Sequence, residues 1–84
     1  MNREQVLEQL TGVLREVFDN DDLVARPELT ARDVAEWDSL NHIRLIVSVE
    51  KAFRIKFKTS EVSGFANIAE MAEAVVAHLA GRAP

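Results

Sequence analysis

The chain contains no cysteine. That absence excludes disulfides and thiolate metal sites, and it leaves no protein thiol to act as a nucleophile, so any thioester chemistry here needs a borrowed thiol. Two histidines, His42 and His78, lie far apart and make a poor zinc site without cysteine partners. No apolar run approaches the roughly 20 residues that span a bilayer. The first residues, Met1, Asn2, Arg3 and Glu4, lack the apolar core of a signal peptide, so a cytoplasmic protein with no membrane segment is expected. The sequence also argues against a serine hydrolase. Ser39 and His42 can be neighbours on a helix, but there is no Gly-x-Ser-x-Gly elbow, no oriented base and no recognisable oxyanion hole.

What is present fits one small folded unit. With 84 residues the chain holds a single core, so one domain spanning 1–84 is expected, working as a monomer. Apolar residues make up 48% and charged residues 29%, the balance of a globular domain and not of a disordered tail. The net charge of −4 is unevenly spread. Residues 1–38 carry 10 acids against 4 bases, whereas 39–58 carry Arg44, Lys51, Arg54, Lys56 and Lys58 against Glu50 alone. A basic segment thus sits inside an acidic protein. Overall acidity (pI about 5.1) and the lack of interleaved aromatics argue against nucleic acid as its partner and favour solvated surface or protein contact.

Val6, Leu7, Leu10, Val13, Leu14, Val17 and Phe18 recur at three- and four-residue steps, which predicts an amphipathic helix over 3–18. Asn2 and Gln5 fit a reciprocal cap at its start. Helical periodicity then vanishes from Asp19 to Trp37, and a connection of that length in so small a domain points to function. Leu23, Val24, Leu29, Val34 and Trp37 pin it across the helices, and Pro27 limits its freedom. After Asp38, a good N-cap residue, Leu40, Ile43, Ile46, Val47, Val49 and Phe53 predict a second helix over 39–53. Ile55 and Phe57 alternate with Arg54, Lys56 and Lys58 in a short extended piece. One helical turn is expected at 60–64, and Asn67 with Glu70 caps a last helix over 68–80 that stops at Gly81. The expected fold is all-α: a small four-helix bundle of three main helices and one short one, with a long loop between helices one and two. Its expected core includes Leu10, Leu14, Val17, Ile43, Val47, Phe53, Met71, Val75 and Leu79.

The segment Glu36, Trp37, Asp38, Ser39, Leu40, Asn41, His42, Ile43, Arg44 resembles the prosthetic-group site of acyl carrier proteins, whose hallmark is Asp-Ser-Leu at the start of the second helix. The surrounding frame of helices and long loop matches as well, so the resemblance covers nearly the whole chain. It implies that a phosphopantetheinyl transferase moves 4′-phosphopantetheine from coenzyme A onto Ser39, and that the arm's thiol then carries acyl groups as thioesters. On this reading the protein is a carrier and not an enzyme. Its further partners are acyl-loading, acyl-transfer or condensing enzymes of fatty acid, modified lipid or polyketide biosynthesis. Resemblance also gives Asp38 a part in handling coenzyme A and its metal ion, and Leu40 a part in packing against partner enzymes. Physical chemistry agrees on Ser39, because a helix N-terminus favours the negative charge of a phosphodiester. Asp38 can equally be a cap alone, and Leu40 a core residue. Two other readings remain: a peptidyl or aminoacyl carrier of the same fold, and an unmodified helical adaptor with a basic second helix.

Two features depart from the family pattern. Glu36 stands where many members have glycine two residues before Asp-Ser-Leu, which predicts a stiffer or better packed approach to the motif. On helix two, Asn41, Arg44, Ser48 and Lys51 share one outward face with two positive charges and no acid, where many fatty acid carriers are acidic. That face argues for a dedicated pathway.

Overall fold

Four α-helices and a 3-10 turn build the computed structural model, which describes residues 2–81 and has no strand among them. Of the expected domain 1–84, residues 1 and 82–84 lie outside the described residues, and with them Arg82. The helices are α1 (Arg3–Phe18), α2 (Ser39–Phe53), α3 (Thr59–Val62) and α4 (Ile68–Ala80).

Capping chemistry sets where each long helix begins. Asn2 Oδ1 accepts the Gln5 amide at 2.8 Å and the Asn2 amide donates to the Gln5 side chain at 2.9 Å, the reciprocal pair expected from sequence. Asp38 caps α2 and Asn67 caps α4 without that reciprocal half, each side chain accepting the amide three residues on, and Glu70 accepts the Ala66 amide instead of that of Asn67. α1 and α2 end on non-glycine residues in left-handed conformation, Asp19 (φ 49°) and Arg54 (φ 57°).

The core forms where α1 packs against both α2 and α4. α1 supplies Val6, Leu10, Leu14 and Phe18, and α4 supplies Ile68, Met71, Ala72 and Val75. From α2 come Leu45, Ile46, Val49 and Phe53. Each large side chain buried in this way is worth about 1.5–3 kcal/mol. Two expected core residues are not buried: Ile43 is 53% exposed and Val47 42%. The reason is geometric. α2 carries two apolar stripes nearly opposite each other, one through Leu45, Val49 and Phe53 and one through Leu40, Ile43 and Val47, and only the first faces α1. Val17 and Leu79 are half-buried at the core margin.

The connection between α1 and α2 is tied down at several points. Thr11 on α1 accepts the Ala25 amide at 2.9 Å, and Arg15 Nε donates to the Leu23 carbonyl at 2.8 Å. The Pro27 and Leu29 carbonyls accept the Ala69 and Ile68 amides at 2.9 Å each, which satisfies the first two free N–H groups of α4. Ala25, Leu29 and Val34 are buried beneath it, while Val24, expected as a pin, is 48% exposed. A 3-10 turn at Ala31–Asp33, not foreseen from periodicity, is fastened by the Thr30 amide donating to Asp33 at 2.9 Å. That hydrogen bond, joined by the Thr30 hydroxyl, holds the Asp33 carboxyl below its ordinary range.

α3 starts one residue earlier than expected and ends at Val62. Glu61 anchors it: one carboxylate oxygen accepts the Lys58 amide at 2.8 Å and the His78 ring of α4 at 2.9 Å. Phe57 is buried below, edge-on to Phe65 and His78.

Candidate functional site

Ser39 is the first residue of α2, and its side chain is exposed. Asp38, in extended conformation, accepts the Asn41 amide on its carboxylate at 2.8 Å and the His42 amide on its carbonyl at 2.8 Å. The amides of Ser39 and Leu40 precede the first intrahelical bond, so they face outward at the positive end of the helix dipole. At α4, by contrast, the loop carbonyls take the equivalent groups. A negative group joined to the Ser39 hydroxyl gains about 0.3–1 kcal/mol from such a helix end.

The approach to this serine is held by hydrogen bonds and ring contacts. The Glu36 carbonyl accepts Asn41 Nδ2 at 2.8 Å. The Trp37 ring lies 5.4 Å from Phe18 and stacks on His42 at 6.2 Å with only 20° between planes. Trp37 Nε1 donates to His42 Nδ1 at 3.1 Å, and His42 Nε2 sits 2.8 Å from the Val62 carbonyl. Indole N–H can only donate, so Nδ1 is the acceptor, and the ring hydrogen on Nε2 is given to Val62. His42 therefore couples the end of the loop, α2 and α3. From sequence it reads as a partly exposed helix residue, because nothing in its spacing marks a partner 20 residues away.

An open groove of about 530 Å³ runs beside Ser39. Trp37, Ile43 and Val62 give it apolar walls, with Asp38, Ser39 and Ser63 at its polar rim. Leu40 is 70% exposed, which removes it from the core, and with Ile43 and Val47 it makes an apolar stripe running away from the serine. Arg44 and Lys51 are exposed alongside. A second groove, between α1 and α2, is lined by both of them and by the acid Glu16 of α1. Ser48 lines it too, and both Asn41 and Ser48, expected on the outward face, are half-buried.

A thiol-bearing arm on a phosphodiester fits these residues: an exposed hydroxyl, unbonded amides for the charge and an apolar groove for what the arm carries. Among the described residues no cluster of three or more histidine or acidic side chains could hold a metal ion, and no helix is long and apolar enough to cross a membrane.

No family model matches the chain. The acyl carrier protein of Rubrobacter xylanophilus is 28% identical over 78 residues, covering 93% of this chain and 96% of that protein. Among solved structures, the solution NMR structure of the holo acyl carrier protein from Geobacter metallireducens superposes with a TM-score of 0.84 at 41% identity, covering 89% of this chain and 86% of that one. Agreement in fold, near-complete coverage and identity at that level place the sequence with a group of carriers that work with acyl-handling enzymes: the chain belongs to the acyl carrier protein family.

Proposed function

We propose that this protein carries acyl groups as thioesters on a 4′-phosphopantetheine arm attached to Ser39. The observation that supports this reading best is the exposed Ser39 hydroxyl at the first position of a capped helix, at the rim of an apolar groove. When attached, the arm supplies the thiol that the chain lacks. The protein's own residues do the rest. Asp38 holds the first turn of α2 in place, the Ser39 and Leu40 amides favour the phosphodiester charge, and the Trp37 and Ile43 walls shield what lies in the groove.

The exposed stripe of Leu40, Ile43 and Val47 is the docking face in this proposal, and its flanking charges select the partner. A face bearing Arg44 and Lys51 attracts an enzyme whose apolar contact site is rimmed by acids and repels the basic rims that acidic carriers seek. This favours a dedicated pathway for a modified lipid or polyketide over the standard fatty acid synthase. The test is reconstitution with coenzyme A and a broad-specificity phosphopantetheinyl transferase. Intact mass rises by one phosphopantetheine unit and one new thiol becomes titratable. A chain that stays unmodified beside a control carrier that is converted would overturn the proposal in favour of an unmodified adaptor.

A further inference from the structure

Ser39 does not line the groove of about 410 Å³ between α1 and α2, and an arm on that serine makes no use of it. The two helices run antiparallel there. Gln9 Nε2 donates to the Ala52 carbonyl at 3.2 Å at one end, and Phe18 meets Trp37, two residues before α2, at the other. That order puts Glu16 toward the Arg44 end of the groove and Lys51 with Ala52 at the opposite end. Half-buried Val13 and Val17, packed on the core, give the groove an apolar floor.

The charges say what this groove takes. Among the described residues neither Arg44 nor Lys51 has an ion-pair partner, and Arg44 donates to Asn41 Oδ1 at 3.2 Å. Seven residues apart on one helix, the two cations project in nearly the same direction about 10.5 Å from each other along the axis. A second helix laid along α2 repeats that spacing with acids seven residues apart, and its side chains one turn on from the first acid fall on Val13 and Val17. An extended strand does not, because its same-face side chains recur every ~6.6–6.8 Å, short of the cation spacing at one step and past it at two. Elsewhere an acidic helix is turned away, since residues 19–38 carry seven acids against Arg26 and Arg32.

Resting on the reading of Arg44 and Lys51 as the charges that select a partner, we infer that the α1–α2 groove seats an amphipathic helix of the partner enzyme, with two acids seven residues apart flanking its apolar face. The acids meet Arg44 and Lys51. Glu16 works against them and keeps the contact reversible. The groove thereby adds α1 to a docking surface that the Leu40, Ile43 and Val47 stripe alone confines to α2.

The test titrates the unmodified, isotope-labelled full chain, so its outcome does not depend on attachment at Ser39. The probe is a synthetic helical peptide with two glutamates seven residues apart and leucine and alanine between them on the same face. A control of the same composition has its glutamates five residues apart, off a common face. The first peptide should shift the Val13, Val17 and Ser48 resonances and bind more tightly than the control. Lys51→Ala should weaken it about two- to fivefold, the size of one exposed ion pair, and Glu16→Gln should strengthen it by a similar factor. Ala52→Gln, which fills the groove at an exposed position without adding charge, should weaken it as well. Shifts confined to Leu40, Ile43 and Val47 overturn the groove while leaving α2 charge as the selector. Equal binding of both peptides, no shift with either at millimolar concentration, or no response to Glu16→Gln and Ala52→Gln also overturns it. Concentration-dependent shifts of the groove residues without peptide would assign the groove to a second copy of the chain and likewise overturn the inference.

Discussion

Asp38 accepts the Asn41 amide at 2.8 Å, closing the first turn of α2 around a residue, Ser39, whose own side chain stays exposed. Substitution can separate this capping role from a role of the Asp38 charge in modification. Asp38→Ala lowers stability by about 0.5–2 kcal/mol, read as a lower urea midpoint, because the cap is lost. Asp38→Asn retains the cap and most of the stability but becomes a slower transferase substrate, since the charge is gone. Equal modification rates for wild type and Asp38→Asn would assign Asp38 to capping alone.

The two stripes of α2 make opposite predictions. Leu45→Ala removes a fully buried side chain and costs about 2–5 kcal/mol in denaturant unfolding. Ile43→Ala, on the exposed stripe, changes stability by no more than about 0.5 kcal/mol while reducing turnover with the partner enzyme. A large stability loss in Ile43→Ala would contradict its place on the docking face.

These contrasts mark how far the sequence can be read. Helix limits are legible because caps are local: Asn2, Asp38 and Asn67 each act on an amide three residues away. Which stripe of α2 is buried is not, since Leu40, Ile43 and Val47 also recur at helical three- and four-residue steps, and periodicity alone does not choose between the two stripes. The fully buried Leu45 escapes a periodicity reading for the same reason. The serine, its cap and the groove's tryptophan are legible as a motif. The His42–Val62 contact is not, because it depends on how α3 folds back across α2.

Acid should loosen α3. The Lys58 amide, and after it the His78 ring, hold the Glu61 carboxyl below its ordinary value of 4.5. A carboxyl depressed in the folded state contributes stability that is complete above the ordinary value and is lost as pH falls through the folded one. Wild type should therefore exceed Glu61→Gln in denaturation midpoint at neutral pH, with the gap shrinking below pH 4.5. A gap that stays constant down to about pH 3 would show that the Glu61 charge adds nothing.

Partner choice should follow the charge on α2. Arg44→Glu with Lys51→Glu improves the protein as a substrate for a fatty acid ketosynthase with a basic docking patch and weakens turnover with its own acidic-rimmed partner. Exposed pairs contribute only about 0.2–1 kcal/mol each, so the two changes shift preference without creating it. Raising ionic strength shrinks both differences, because exposed charges are screened over about 10 Å at 0.1 M salt. A double variant indistinguishable from wild type toward both enzymes at low salt contradicts this assignment.

The attachment point is the central claim, and the protein supplies its own control. Of the four serines, Ser63 lines the same groove as Ser39, whereas Ser48 and Ser60 stand elsewhere on α2 and α3. Each is replaced by alanine in turn, and intact mass is measured after treatment with coenzyme A and the transferase. Ser39→Ala should show no gain, and the other three should each gain one phosphopantetheine unit as wild type does. A gain that survives in Ser39→Ala, or one that disappears in Ser63→Ala while that variant remains folded, contradicts the account.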